Sequence, residues 1–300
     1  MKKFVLFCFA FLCLLSMSAA EKHTLRVNLK KGDTFTQTID MQTSLKMKFS
    51  GVSMDIDMPM VMDLKFKVND VFRDSLNLVT EIQRIKFQTE VMGKVLRIDT
   101  DMSNSTSEEF LFLRKFIGKP FTMTVDKRWN VLGIRDFDGI LESVLDGNSK
   151  EEVEEVEAAI ASMISKERLS GNFAESMVVF PEEPVSVGYV WSKDDEVSVS
   201  GISMKIKTTN TVKSIDSKSG EVVIASESLV DMQEVSVEGM QMSLSKESKI
   251  SGEYTYFIKT GRLKSSNLQM SIPMNMSVQE KGQAQSISMH LTADIKSSTR

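Results

Sequence analysis

Methionine is the residue type with the most chemistry to offer in this chain. Met58-Pro59-Met60-Val61-Met62 recurs in outline as Ile272-Pro273-Met274-Asn275-Met276, and Met240-Gln241-Met242 adds a third Met-x-Met. Thioethers can act in three ways. They fill irregular core gaps, they form a deformable surface for an apolar ligand, or they bind copper(I), which prefers soft sulfur. Residues i and i+2 of one strand stand nearly 7 Å apart, so copper would need two such strands as neighbours. No histidine or cysteine lies near either stretch to help. The spacing therefore favours an apolar surface over a metal site, with Met58, Met60, Met62, Phe66, Met270, Met274 and Met276 as the candidate ligand-binding residues. No metal, cofactor or catalytic residue is expected.

Other reactive groups are sparse. The chain has two histidines, His23 and His290, and two cysteines, Cys8 and Cys13. His290 alternates in phase with Ser286 and Ser288, opposite Met289 and Leu291, which places it on a surface. A Ser-His-Asp triad needs a positioned base. No Gly-rich phosphate loop, HExxH pattern or nucleophile elbow is present. Asp55/Asp57 and Asp194/Asp195 could pair as glycosidase acids. They lie among lysines or in loop surroundings that would not raise a carboxyl pKa. Glu152, Glu154, Glu155 and Glu157 read as the solvated face of a helix, not as a metal cluster. The expectation is a protein that is not an enzyme.

The start of the chain reads as an export signal. Lys2 and Lys3 precede an apolar run from Phe4 to Leu15, and Ser18, Ala19 and Ala20 suit a signal peptidase, giving cleavage after Ala20. A spanning helix wants about 20 apolar residues, more than this run supplies. Both cysteines fall inside the leader, so the mature chain has no thiol chemistry. The compartment expected is periplasmic or extracellular. Without Lys2 and Lys3, the 37 basic residues become 35 against 41 acidic ones, a net of −6. That balance excludes nucleic acid and an anionic membrane surface as partners.

Alternation of apolar and polar residues dominates the rest. Odd positions from Phe35 to Phe49 and even positions from Val52 to Val68 carry the apolar set, with Ser50-Gly51 between. These are two long antiparallel strands joined by a turn. The phase slips near Arg84, which predicts a bulge. Phe121–Asp126 reads as a strand closed by a turn at Lys127–Asn130. Residues 137–168 have helical spacing instead. Ile140, Leu141, Val144 and Leu145 suit a short helix, and Val153, Val156, Ile160, Met163 and Ile164 line a second.

Three echoes in the same order suggest an internal duplication. GVSMDIDMPM from Gly51 resembles GISMKIKTTN from Gly201. The strands around Val68–Ile82 resemble those from Val212, and FTMTVDKRWNVLGI resembles YTYFIKTGRLKSS. The fold class expected is mainly β: a long-stranded antiparallel sheet, curved and open like a half-barrel, built from two related halves with a central helical segment. The division is a leader (1–20), a first half (21–136), a helical segment (137–168) and a second half (169–300). Pro59 and Pro273 sit inside strands opposite the apolar set, which suits edge strands or bulges.

LKKGDTF (Leu29–Phe35), GKPFTMTVDKRWNVLGI (Gly118–Ile134) and VVFPEEPVSVGYVW (Val178–Trp191) resemble a family of exported proteins of unknown function in Gram-negative bacteria. The family usually has an acidic residue after the glycine of its second such motif, where Tyr189 stands here. The resemblance implies no catalytic residue. The architecture is more loosely similar to periplasmic lipoprotein carriers, whose half-barrel holds acyl chains under a helical lid. The function expected is binding of a lipid or other apolar ligand on the methionine-rich sheet face. The alternatives are a structural or protein-interaction module whose methionines are only core, and a copper(I)-binding protein.

Overall fold

The computed structural model describes residues 21–300 apart from 92, 103–105, 108–110, 146–172, 174–175, 200–201, 233–234, 238–239 and 281–282. The leader and the second helix expected from the sequence lie outside the described residues. The alternating stretches form strands β1 (Thr34–Phe49), β2 (Val52–Val71), β3 (Ser75–Val91), β4 (Lys94–Asp99), β5 (Pro120–Asp126) and β6 (Val131–Arg135). The second half contributes β7 (Val190–Val199), β8 (Ile202–Asp216), β9 (Glu221–Met232), β10 (Val235–Val237), β11 (Met240–Leu244), β12 (Lys249–Phe257), β13 (Leu263–Glu280) and β14 (Gln283–Thr299). A four-residue turn of helix, α1 (Leu111–Arg114), precedes β5, and α2 (Phe137–Leu145) follows β6. α2 buries Ile140 and Val144 of the expected stripe together with Phe137, which the stripe did not include, and leaves Leu141 and Leu145 half-buried.

All pairings are antiparallel and join one 14-stranded sheet, ordered β6-β5-β3-β2-β1-β14-β13-β12-β9-β8-β7. Its outermost strands β6 and β7 do not meet, so the sheet is open. β4 hangs on β3, and the β10–β11 hairpin hangs on β13. Turn chemistry follows the sequence: Ser50 and Gly51, between β1 and β2, both have positive φ, 47° and 82°. The expected phase slip is a register shift opposite Asp63/Leu64, where Asp63 pairs with Arg84 and Leu64 with Ile82, leaving Gln83 bulged.

The two halves repeat one pattern of hydrogen bonds. Gly32 N–H donates to Val68 O (2.9 Å) and Val68 N–H to Asp33 O (2.9 Å). Gly188 N–H donates to Val212 O (2.8 Å) and Val212 N–H to Tyr189 O (3.0 Å). Both glycines are left-handed, with φ of 92° and 85°. Tyr189 takes the place of Asp33 and supplies the same carbonyl, while Asp33 also accepts the Lys30 N–H on its carboxylate at 2.8 Å. The bulge at Val68/Asp70 matches one at Val212/Ser214, and the bulge at Thr124/Val125 matches one at Thr255/Tyr256. Trp129 (φ 73°) and Gly261 (φ 65°) occupy equivalent turn positions, and Trp129 Nε1 donates to Gly261 O at 2.7 Å. Laid side by side, the halves run β6-β5-β3-β2-β1 and β13-β12-β9-β8-β7 in the same direction, with β14 as the strand that joins them.

One face of the sheet carries the core, at one end of the long strands. Leu25, Val27 and Leu29 of the N-terminal segment, Phe112, Leu113 and Phe116 around α1, and the stretch Met177–Phe180 pack there with Phe35, Phe66, Val68, Leu78 and Tyr256. Trp129 sits in the middle, fully buried, 6.0 Å from the Phe173 ring.

Of the two prolines, Pro59 stands on an open edge, since among the described residues Val52–Pro59 of β2 pair with β1 alone, whereas Pro273 requires a correction because β13 lies inside the sheet. Pro59 pairs with Gln42 of β1, and β3 begins to pair with β2 only at Met60. Pro273 sits where β13 exchanges β12, last paired at Ser271, for β11, first paired at Met274. A missing N–H is tolerated at such a gap in the neighbouring strand just as it is at an edge.

Candidate functional site

Directly opposed residues in a ladder point to the same side, so the register shows which side chains share a face. Four central strands, β2, β1, β14 and β13, line up their apolar residues in rows that lead away from the core, to which Leu268 still belongs. One row is Met54–Met47–Met289–Met274, and the next is Ile56–Leu45–Leu291–Ile272. Then come Met58–Thr43–Ala293–Met270 and Met60–Met41–Ile295–Leu268. At about 4.8 Å between strands and 3.3 Å per residue, these four rows make a field about 15 Å wide and 20 Å long. Met62 continues it toward the core, against Ile85 of β3, and Met276 continues it the other way, against Met242 of β11.

The candidate residues Met58, Met60, Met62, Met270, Met274 and Met276 therefore share one face, and Met58 and Met270 share one row. Their burial is intermediate, less than expected for a packed strand face. Phe66 differs. It lies on the same face but at the core end, 0% exposed, stacked on Phe35 with ring centroids 4.9 Å apart and 5.8 Å from Phe173. It is a packing residue and offers no surface to a ligand. Its alternation is the same as that of the methionines, so sequence could not separate them. Lys65 and Lys67 point the other way and are exposed, with Lys65 3.6 Å from Glu81.

The field ends in polar side chains toward β7. On the same face, Thr208 and Ser228 share a 2.8 Å hydrogen bond, and Lys193 pairs with Asp195 at 2.8 Å. The second half places Asn210, 3% exposed, where the first half has Phe66. Beyond that polar row the same face is apolar again on β8 and β9, where Ile206 pairs with Val230 and Met204 with Met232.

The opposite face carries the groups with other chemistry. Ser271 and His290 form a hydrogen bond of 2.9 Å beside a depression of about 710 Å³ lined by Gln42, Ser44, Asp57, Gln269 and Asp294. His290 is exposed, and Ser271 is its one hydrogen-bond partner among the described residues, so no carboxylate orients the ring. Asp55 and Asp57 are exposed on this polar face. Among the described residues no cluster of three or more His, Cys, Asp or Glu side chains could hold a metal ion.

Copper stands differently from the sequence expectation. The register does make methionine strands neighbours: Met54, Met47, Met289 and Met274 come from four adjacent strands. Side chains paired this way have Cβ atoms about 4.5–5.5 Å apart, within reach of converging thioethers. The aliphatic row beside them offers no further ligand.

Residues 73–263 match the Family of unknown function (DUF6263). The chain belongs to that family. The matched segment runs from the β2–β3 turn to the start of β13, so the methionine rows of β1, β2, β13 and β14 lie outside it. No curated protein sequence matches the chain. Among solved structures, one of lipid–protein interactions in lipovitellin is 8% identical with a TM-score of 0.44. That likeness covers 89% of this chain but only 25% of the lipovitellin chain. An outer membrane channel from Pseudomonas putida F1 is 5% identical over 90% of this chain and 97% of its own, with a TM-score of 0.23. A lipoprotein-sorting protein domain from Vibrio parahaemolyticus is 11% identical over 86% of this chain and 84% of its own, with a TM-score of 0.13. At these TM-scores none of them bears on what a DUF6263 chain binds.

Proposed function

We propose that this protein is exported and binds a lipid acyl chain or another apolar molecule on the methionine face, without catalysing a reaction. The observation that carries this is the four-strand field: rows of unbranched, adaptable thioethers and aliphatic side chains whose methionines are neither packed away nor fully in water. A core face would bury them as it buries Phe66. A surface facing only water would not gather them in register on four strands, because apolar area in water costs about 25 cal/mol per Å². Methionine also suits a ligand of variable shape, since its side chain repacks at little cost.

The test is direct. An apolar fluorescent probe should bind the mature protein saturably and be displaced by fatty acid. Mass spectrometry of the protein purified from its native compartment should find a co-purified lipid. Absence of a saturable site would leave the methionines as core packing and make the protein a structural or interaction module. Copper(I) is the second reading, favoured by the Met54–Met47–Met289–Met274 row. Titration against a competing chelator should show no submicromolar site. Tight binding abolished by leucine at those four positions would replace the lipid reading.

A further inference from the structure

We propose that the methionine face is an oxidation-sensitive surface, converted by hypohalous acid to a polar sulfoxide surface that no longer holds an apolar ligand. The release step rests on the binding function proposed above; the modification site does not.

The β2–β1–β14–β13 field and its β11 margin hold eleven methionines of described burial, two on β1, four on β2, one on β11, three on β13 and one on β14, and every one is of intermediate burial. Met123 and Met177, in the core, are 2% and 5% exposed. Thioether oxidation follows access of the oxidant to sulfur. The two sets should therefore differ sharply in rate. No cysteine follows Cys13 in the chain, so no thiol competes for the oxidant. In the reaction a sulfur lone pair takes the oxygen of hypochlorous acid. Sulfur is oxidised by two electrons, chlorine leaves reduced as chloride, and the proton goes to water.

Each sulfoxide replaces a weak acceptor with a strongly polar S=O group, and burying such a group against an apolar ligand without a hydrogen-bond donor is unfavourable. The aliphatic row Ile56–Leu45–Leu291–Ile272 supplies no donor. Because neighbouring thioethers sit on adjacent strands, oxidation of a single row spoils the full width of the field. The same product is reversible by methionine sulfoxide reductases. Leucine would give equal apolarity without this liability, so it separates the two roles of the side chain.

The experiment uses the mature protein, titrated with hypochlorous acid, with peptide mapping and N-phenyl-1-naphthylamine as the probe. The face methionines should oxidise at least about tenfold faster than Met123 and Met177. Probe affinity should fall by roughly tenfold or more while far-UV circular dichroism is unchanged, and reductases A and B together should restore it. Measured against its own unoxidised state, the variant M47L/M54L/M274L/M289L should lose less probe affinity on oxidation than the wild type does. Oxidation of Met123 or Met177 at the pace of the face overturns the modification site, and this is read without any ligand. Unchanged affinity after oxidation, or loss of fold before it, overturns the switch. A reduced protein with no saturable probe site overturns the binding function and the release step together.

Discussion

Phe66 and Met58 lie on the same strand, eight residues apart, and face the same side, yet their environments differ. Phe66 is 0% exposed and stacked on Phe35, whereas Met58 is half-buried on the open part of the face. Truncating each to alanine measures that difference. Phe66→Ala removes roughly 130 Å² of dry apolar surface, about 3 kcal/mol at 25 cal/mol per Å². The lost ring pair and the cavity add about 1 kcal/mol or more, for a total near 4 kcal/mol. Met58→Ala removes a smaller side chain that is only partly dried, for about 1 kcal/mol. Urea unfolding followed by tryptophan fluorescence reports both. With an m value of about 3 kcal/mol/M, the two midpoints should differ by about 1 M. Met58→Ser should unfold near the Met58→Ala midpoint and yet weaken the apolar probe. If Met58→Ala costs as much as Phe66→Ala, the face is continuous core and the division between packing and site is wrong.

Three further outcomes follow from single positions. Arg84→Met leaves Asp63, 6% exposed, with only the 2.7 Å bond from Thr38 in place of its 3.0 Å ion pair. It should cost about 3–5 kcal/mol in urea unfolding, much of it recovered by adding Asp63→Asn, and no recovery would show that the carboxylate is not the cause. Gly261→Ala drives a Cβ into the Arg26 carbonyl oxygen at a left-handed φ of 65°, so the thermal midpoint should drop sharply, by a cost of about 2–5 kcal/mol; a neutral change would refute the close approach. Burial pushes the Tyr256 hydroxyl well above its ordinary value of 10.0, while the Val178 N–H donates to it at 2.7 Å. A raised folded pKa means that this stability is intact below pH 10 and is lost as pH rises beyond it, because only the unfolded chain ionises there. The stability advantage of wild type over Tyr256→Phe should shrink by about 1.4 kcal/mol per pH unit above about 10, and a constant difference from pH 8 to 11 would sink the assignment.

Strand direction, turns and faces were legible in the sequence because a strand has a period of two, and that period is local. Alternation alone put Met58, Met60, Met62 and Phe66 on one side and Lys65 and Lys67 on the other, and the phase slip at Arg84 announced the bulge at Gln83. The echoes between halves were legible for the same reason, since each is a strand–turn–strand unit whose glycines and bulges recur. Neighbours and depth were not legible. Nothing local to β14 says that it inserts between β1 and β13, more than 200 residues apart, and this pairing alone brings Met47 beside Met289 and Met289 beside Met274. A period of two also cannot say where a face is covered. The N-terminal segment, α1, α2 and the Met177–Phe180 stretch close over the core end of the sheet, so Phe66 is enclosed there. Pro273 was misjudged on the same ground. A missing N–H reveals only that no acceptor faces it, and whether that gap is a sheet edge or the end of a neighbouring strand depends on residues far away in the chain.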